Sequence, residues 1–296
     1  MAEFAQAAVI GVGLIGGSFA LALKDAGVVE RVAGVGRDAE NLRTALARGI
    51  IDIATHDVAE AVREADLVFV ATPVGAMAGV FARIAPVLKP GALITDGGST
   101  KQSVIEAARK GLGARIAQFV PSHPIAGSEK SGAAAASSTL YLDHEVVLTP
   151  LPENRPEDVA RIRALWARCG ARVVEMNARE HDAVMAAVSH APHFIAFAYM
   201  HAIAARKDAT DLLVHAGGGL RDFTRIASSH PRMWSDICMA NREALLAELA
   251  RFEQAVGELR ALLEANDAAE LEARFSHARA LRDAWIASQV APPEGE

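Results

Sequence analysis

Short apolar runs alternate with amphipathic stretches through the first part of the chain. The runs are continuous rather than alternating in polarity, which is typical of parallel strands buried between helices. They are AVIGV at 8–12, VAGVG at 32–36, DLVFVAT at 66–72, ALITD at 92–96, QFVPSH at 118–123, EVVLTP at 145–150 and VVEM at 173–176. This pattern predicts a doubly wound α/β domain with a mostly parallel sheet over residues 1–177.

After about residue 177 the pattern becomes helical, and no convincing strand follows from Glu180 to Trp285. The clearest helix has apolar residues every three or four positions. They are Leu245, Leu249, Phe252, Val256, Leu259 and Leu263. Such a stripe usually packs inside its own chain, and the sharper interpretation is a dimer seam. We therefore expect an all-helical domain over 178–296, with a mobile loop in AAAASS (133–138) and a disordered tail at 292–296.

Composition limits the partners that this protein can have. The chain has 51% hydrophobic and 22% charged residues and a net charge of -6, which argues against nucleic acid and favours a small-molecule substrate. Its two cysteines, Cys169 and Cys238, stand far apart and indicate neither a disulfide framework nor a zinc site. The N-terminus lacks a signal-peptide pattern, and no uninterrupted apolar run approaches the roughly 18 residues of a membrane span. We expect a cytoplasmic protein.

A glycine-rich loop follows the first predicted strand and opens the first predicted helix. It reads Gly11, Val12, Gly13, Leu14, Ile15 and Gly16. In this context glycines allow the backbone to approach a pyrophosphate at the helix N-terminus, as in Rossmann dinucleotide-binding domains. The alternative is a tight turn without a ligand.

The end of the second strand carries the signal for the choice of cofactor. NAD-binding domains usually place an acidic residue there, but this chain has Gly36 followed by Arg37. The absent carboxylate and the added guanidinium favour the 2'-phosphate of NADP. Asp38 could still serve NAD, so NAD stays possible.

Polar residues also stand at the carboxyl ends of later strands, where open α/β sheets bind their ligands. Thr72 and Pro73 follow the third long run and are candidate cofactor contacts. His123, in PSHPIAGSEKSG, is a candidate acid or base at the end of its strand. Ser99, in DGGSTK, could bind the same substrate hydroxyl or orient the imidazole. Its alternative role is the N-cap of the following helix.

The helical half adds a second polar cluster. His190 and His193 stand three residues apart, roughly on one helical face, and Arg221 and Arg225 follow three glycines. An HxxH pair can bind metal, but no third ligand has a recognisable spacing, so we expect no metal. A substrate site that grips carboxylates with a histidine and an arginine is the simpler hypothesis. Either arginine could instead be a solvated charge or part of a structural ion pair.

Several motifs together resemble the prephenate/arogenate dehydrogenase family of tyrosine biosynthesis. They are GVGLIGGSFALALK, DLVFVATPV, DGGSTK, PSHPIAGSEKSG, VSHAPHFIAFA and GGGLRDFTRIASSHPRMW. The resemblance runs from about residue 8 to residue 245. It implies a nucleotide-binding domain followed by a helical dimerisation domain, and hence a homodimer. The implied reaction is oxidative decarboxylation of prephenate to 4-hydroxyphenylpyruvate, or of arogenate to tyrosine, with hydride transfer to NAD(P)+.

The resemblance also implies roles for individual residues. His123 matches the catalytic histidine of the family and Ser99 its serine partner. His193 matches a substrate-binding histidine, and Arg225 matches the arginine that grips a substrate carboxylate. His190 matches the first histidine of the same motif.

Two alternatives stay open beside this resemblance. A β-hydroxyacid dehydrogenase would need a catalytic lysine in the helical half, where Lys207 is the only lysine from Met176 to Asp236. A non-catalytic NADP-binding protein would keep the fold without the reaction. The sequence does not distinguish prephenate from arogenate.

Overall fold

A parallel five-stranded sheet lies at the centre of the first part of the chain. The computed structural model describes residues 2–127 and 130–290. Glu129 of the PSHPIAGSEKSG motif and the tail predicted to be disordered, 292–296, lie outside the described residues. The strands are β1 (Phe4–Ile10), β2 (Val29–Val35), β3 (Ile53–Thr55), β4 (Leu67–Val70), β5 (Leu93–Asp96), β6 (Ser122–Pro124), β7 (Glu145–Leu148) and β8 (Arg172–Glu175). The first five form one parallel sheet in the order β3-β2-β1-β4-β5.

Helices connect the strands and continue beyond them. They are α1 (Leu14–Asp25), α2 (Ala39–Ala47), α3 (Val58–Arg63), α4 (Val74–Ile84), α5 (Gln102–Leu112), α6 (Pro156–Arg168), α7 (Ala178–Met185), α8 (Ala191–Ala204), α9 (Ala209–Val214), α10 (Gly218–Thr224), α11 (Pro231–Ala240), α12 (Arg242–Glu264) and α13 (Ala268–Val290). A π-helical turn, Ala186–His190, joins α7 to α8. The predicted class, a doubly wound and mostly parallel sheet followed by helices, is confirmed.

The central strands are apolar because both faces of the sheet are covered. All four residues of β4 are buried, and two apolar clusters lie on the two sides of the sheet. One cluster contains the touching rings of Phe19, Phe69 and Trp166. Continuous apolar runs were the correct signal for these strands.

Two features of the sheets differ from the sequence prediction. The short strand β3 was missed, because three partly exposed residues at a sheet edge carry little hydrophobic signal. The strands β6, β7 and β8 form a separate three-stranded sheet, in which β6 runs antiparallel to β7. His123 therefore lies within a strand of this second sheet. Phe119 pairs in parallel with Ile94 of β5, which brings the following residues to the carboxyl end of β5.

The predicted mobile loop at 133–138 is packed instead. Ala133 and Ala136 are buried, and their carbonyl oxygens accept hydrogen bonds from the guanidinium of Arg48. The Asn41 amide oxygen accepts from the backbone N–H of Ala133 at 2.8 Å. Small side chains made the segment look featureless in sequence, but they allow it to pack closely against α1, where Ala136 approaches Gly17.

The chain packs as two compact units, Met1–Leu245 and Leu246–Glu296. The first holds both sheets and the helices as far as the start of α12. In the second, the apolar positions are largely exposed: Phe252 is 43% exposed, Val256 47% and Leu263 65%. The interpretation of the stripe as intramolecular core is wrong for these three residues, whereas Leu245 is buried and Leu249 and Leu259 are half-buried. This division does not test the domain boundary predicted at 177/178, which stays a prediction.

The helical segment Ala178–Ala204 is long and apolar enough, by length and composition alone, to cross a membrane. Its side chains His181, Asp182 and His190 are buried and hydrogen-bonded to other residues of the first unit. These contacts make the segment part of that folded unit.

Candidate active site

The glycine loop has the geometry that a dinucleotide needs. Gly11 has a φ of 102°, and a Cβ there would lie 2.6 Å from the carbonyl oxygen of Ala71. A Cβ on Gly16 would lie 2.0 Å from the carbonyl oxygen of Gly11. Gly13 is the N-cap of α1 without a side-chain cap, and a Cβ there would meet nothing within 4 Å. Gly11 and Gly16 thus allow close packing, while Gly13 leaves space before the helix N-terminus for a pyrophosphate.

Other predicted cofactor contacts border this loop. Leu14 and Ile15 form the start of α1, and the Ile15 carbonyl accepts a hydrogen bond from the Tyr141 hydroxyl at 2.6 Å. Thr72 follows β4, and its buried Oγ1 has no hydrogen-bond partner within the described part of the chain. Pro73 is the N-cap of α4. A buried hydroxyl without a partner beside the glycine loop fits a site that a cofactor completes.

The end of β2 presents Arg37 to solvent. Asp38 is the N-cap of α2, and its Oδ1 accepts from the backbone N–H of Glu40 at 2.9 Å. Because Asp38 already caps a helix, its carboxylate is less available to ribose hydroxyls than the sequence allowed. Arg37 and Asp38 are thus the two exposed charged residues that directly follow this strand end.

A buried ion pair ties together the segments that carry Ser99 and His123. The ammonium of Lys101 donates to Asp96 Oδ2 at 2.5 Å and to the carbonyl oxygen of Ser122 at 2.6 Å. The other oxygen of Asp96 accepts from the backbone N–H of Ser122 at 3.0 Å. Asp96, Lys101 and Ser122 are 0% exposed. Burial lowers the pKa of Lys101, and the Asp96 carboxylate opposes that shift.

His123 is one end of a chain of three side chains. Its Nδ1 lies 2.8 Å from Nε2 of His181, and Nδ1 of His181 lies 2.8 Å from Oδ1 of Asp182. His123 is half-buried, whereas the other two are fully buried. Strand β6 therefore supplies the histidine, and helix α7 supplies the two side chains that hold it.

Asp182 also caps helix α5 from outside that helix. Its Oδ1 accepts from the backbone N–H of Lys101 at 2.7 Å, and its Oδ2 accepts from that of Gln102 at 2.9 Å. The N-cap residue of α5 is Lys101, without a side-chain cap of its own, so the alternative role of Ser99 as N-cap is wrong. Ser99 is half-buried in the loop after β5. Among the described residues, its hydroxyl makes no hydrogen bond to His123, whose ring is held by His181 instead.

His190 and His193 meet on the indole of Trp234. His193 stacks on that ring with 3.6 Å between centroids, and His190 contacts it edge-on at 6.1 Å. The expectation that both histidines share a face is confirmed by this shared contact. Nδ1 of His190 lies 3.0 Å from the amide nitrogen of Asn241, which also donates to the backbone oxygen of Asp182 at 2.7 Å. The π-helical turn before α8, a feature common at functional sites, ends at His190.

His123, His190 and His193 all favour the neutral form. Burial is the main cause that lowers the pKa of His123 well below 6.5, and the neighbouring His181, Lys101 and His190 lower it further. Burial lowers the pKa of His190 to about 4. Burial also lowers the pKa of His193, and the positive charge of Arg225 adds to the effect. Neutral imidazoles can accept protons or hydrogen bonds at neutral pH.

Arg225 lies at the start of a 3₁₀ turn, Arg225–Ser228, and is exposed. This turn packs against α8, which carries His193, and the positive charge of Arg225 helps to lower the pKa of His193. Arg221 is exposed and lies 3.7 Å from Asp222, which fits the alternative of a surface ion pair. Within the described residues, no group of three or more His, Cys, Asp or Glu side chains is arranged to hold a metal.

Sequence reasoning missed several residues of the site. They are Asp96, Lys101, His181, Asp182, Trp234 and Asn241. His181 and Asp182 form an adjacent His-Asp pair in AREHDAV, but nothing local distinguishes it from a polar helix surface. Burial, which only the fold reveals, is the signal that distinguishes these residues.

The fold and these groups define the class of protein. A Rossmann domain with an open helix N-terminus, followed by helices that hold a histidine, is the architecture of a nucleotide-dependent oxidoreductase. Two family models match the chain. One, prephenate dehydrogenase, nucleotide-binding domain, matches residues 19–175, and the other, prephenate dehydrogenase, dimerization domain, matches residues 177–277.

Individual relatives agree with these matches. Cyclohexadienyl dehydrogenase of Zymomonas mobilis is 38% identical over 95% of this chain and 96% of its own length. A crystal structure of prephenate dehydrogenase from A. aeolicus, in complex with hydroxyphenyl propionate and NAD+, has a TM-score of 0.88 at 32% identity. That match covers 94% of this chain and 97% of the other. Arogenate dehydrogenase from Synechocystis has a TM-score of 0.78 at 28% identity, and the match covers 95% of this chain and 99% of the other.

The chain belongs to the prephenate dehydrogenase family. The predicted activity, dehydrogenation of prephenate or arogenate in tyrosine biosynthesis, is confirmed at the level of this family. The protein is therefore an enzyme with a nucleotide cofactor.

Proposed function

We propose that this enzyme oxidatively decarboxylates prephenate, arogenate or both, with His123 as the base. The observation that carries the proposal is the anchored, neutral ring of His123. It is held at 2.8 Å by His181, and its pKa is lowered well below 6.5, chiefly by burial. Such a ring is ready to accept a proton at neutral pH.

The chemistry assigns one task to each group. Neutral His123 takes the proton of the ring C4 hydroxyl as a hydride leaves C4, and the ring carboxylate departs as CO2. Loss of the carboxylate makes the ring aromatic, which drives the step. A nucleotide cofactor held at the glycine loop of Gly11, Gly13 and Gly16 would supply the hydride acceptor. Ser99, in the neighbouring loop, binds the same hydroxyl and aligns it with His123.

The polar side chains around Trp234 bind the substrate. Arg225 provides a charge-assisted hydrogen bond to a substrate carboxylate, supported by its exposure and by the packing of its turn against α8, which carries His193. His193 and His190, both neutral, contribute hydrogen bonds to the substrate. The stacking of His193 on Trp234 supports this role because it holds the imidazole in one orientation.

The nucleotide site fits NADP better than NAD in this proposal. Gly36 and the exposed Arg37 stand where NAD enzymes place a carboxylate, and Asp38 is engaged as a helix cap. The A. aeolicus relative, however, was crystallised with NAD+. We expect Arg37→Ala to lower the ratio of kcat/KM for NADP to that for NAD by roughly tenfold or more, the equivalent of one charge-assisted hydrogen bond. Arg31→Ala, at an exposed arginine within β2, is the control. A wild-type enzyme that clearly prefers NAD would contradict the assignment.

A homodimer through the helical half completes the proposal. The exposed apolar positions of 246–290 support it, because large apolar side chains such as Phe252 and Leu263 require cover. The match to a dimerization domain supports it as well. Light scattering on the purified full chain measures the assembly, and a monomer at micromolar concentration would contradict it. We also propose a cytoplasmic location, which fractionation of cells tests.

The direct test of function is an assay of NAD(P)H formation with prephenate and arogenate in parallel. Turnover of either substrate supports the proposal, and the ratio of the two kcat/KM values gives the preference. Cofactor binding without turnover would favour the non-catalytic alternative. A β-hydroxyacid dehydrogenase would instead turn over hydroxyacids, but Lys207, the candidate lysine for that chemistry, lies exposed in the turn between α8 and α9.

A further inference from the structure

Asp182 fixes the direction of every hydrogen bond in the chain that leads to His123. The backbone N–H groups of Lys101 and Gln102 can only donate, and they occupy one carboxylate oxygen each, at 2.7 and 2.9 Å. Asp182 therefore accepts from both, as an ionised carboxylate does with either oxygen. Burial opposes this ionisation, but the hydrogen bonds from His181 and from the two amides outweigh it and lower the pKa of Asp182.

The proton positions follow from this carboxylate. Since Asp182 only accepts, Nδ1 of His181 carries the hydrogen in their 2.8 Å contact. In a neutral imidazole the other nitrogen is then an acceptor, so Nε2 of His181 holds a lone pair. His123 must donate to it from Nδ1 across 2.8 Å. The remaining nitrogen of His123, Nε2, is left without a hydrogen.

We propose that His181 is a positioning residue that, through Asp182, locks His123 in the tautomer whose Nε2 is the basic atom. The assignment deepens the proposed function and rests on it for the identity of the reaction. An imidazole without such a partner can place its hydrogen on either nitrogen, and the wrong choice leaves no base toward the substrate. In Ser-His-Asp hydrolases, replacing the carboxylate that fixes the histidine tautomer lowers kcat by about 10^4.

The arrangement also connects the base to the docking of helix α7. His181 and Asp182 lie on α7, and Asn241, just after α11, donates to the backbone oxygen of Asp182 at 2.7 Å. The same carboxylate caps α5. His123 thus acquires its basic nitrogen only when α7 lies against α5 and β6.

Kinetics of two His181 variants separate an acceptor role from a packing role. Leucine at 181 fills similar space but offers no lone pair to His123, so His181→Leu should lower kcat roughly 10^2- to 10^4-fold, the usual contribution of a positioned base. The KM for the cofactor should change little. Glutamine can accept through its side-chain oxygen, so His181→Gln should recover about tenfold or more of the lost kcat. His144→Leu, at an exposed histidine that contacts the Leu142 carbonyl, is the matched control.

Nitrogen NMR of the ¹⁵N-histidine-labelled full chain reads the tautomer without any substrate. His123, assigned by the signals missing in His123→Asn, should show a protonated Nδ1 and an unprotonated Nε2 at neutral pH. His181→Leu should lose this preference, and His181→Gln should keep it. A protonated Nε2 on His123 in the wild type, or His181→Leu with wild-type kcat, would overturn the proposal. Failure to turn over prephenate and arogenate with the expected NMR pattern would refute the function while leaving the positioning role in place.

Discussion

The candidate active site has two sides, which differ in how many of their polar side chains are buried and hydrogen-bonded within the chain. We call one the base side. It consists of Asp96, Lys101, Ser122, His123, His181 and Asp182. The other, the carboxylate side, consists of His193, Arg225 and Trp234. On the base side every side chain except the half-buried His123 is fully buried, and all six are hydrogen-bonded, whereas Arg225 is exposed.

The difference fits the roles that we propose for the two sides. A base must have one protonation state and one orientation, which burial and short hydrogen bonds provide during folding. An arginine that binds a carboxylate must keep its donors available until the substrate arrives. Under the proposed function the base side is therefore preorganised, and the substrate would complete the carboxylate side.

The largest effect should come from removing the base itself. His123→Asn should lower kcat about 10^2- to 10^4-fold, because no positioned group then accepts the hydroxyl proton. The KM for substrate should change little, since the binding groups stay in place. Steady-state kinetics with prephenate or arogenate measure both values. Near-normal turnover would remove His123 from the mechanism.

The next largest difference between the two sides should be in their contribution to the free energy of unfolding. Lys101→Met leaves the Asp96 carboxylate buried without its cation and should lower the free energy of unfolding by about 3–5 kcal/mol. Arg225→Met makes a comparable change at an exposed position and should have little effect on stability. Urea denaturation of both variants measures the difference. Equal stabilities would show that the base side is not held by its buried pair.

Arg225→Ala should affect binding more than chemistry. Loss of one charge-assisted hydrogen bond costs about 1.5–3 kcal/mol, so the KM for substrate should rise roughly 10- to 100-fold with a smaller change in kcat. Arg221→Ala, four residues earlier in the same exposed segment, is the control. A loss of kcat with unchanged KM would place Arg225 on the base side instead.

The smallest effect concerns pH. His123 acts only when it is unprotonated, and its pKa is lowered well below 6.5, chiefly by burial. The acid limb of kcat/KM should therefore have a midpoint below 6.5, with activity lost only as the pH falls through that lowered pKa. A midpoint at or above 6.5 would show that the base is not desolvated.

Local patterns predicted the features that depend on neighbours in sequence. The glycine loop was visible because Gly11, Gly13 and Gly16 stand between a strand and a helix. Arg37 and His123 were visible because each stands at the end of a predicted strand. The short strand β3 and the separate sheet of β6 to β8 were missed, because strand pairing depends on distant segments. The stripe from Leu245 to Leu263 was identified, but its exposure was not.

The sequence by itself determined the class of fold, the nucleotide loop and the family, since each is written in short runs of adjacent residues. Only the tertiary structure decided what holds the base. His181 lies 58 residues after His123, and Asp182 meets the start of α5 across 81 residues of chain. Burial and hydrogen-bond direction arise only when such segments meet in space, so the lone pair on His123 is a property of the folded chain.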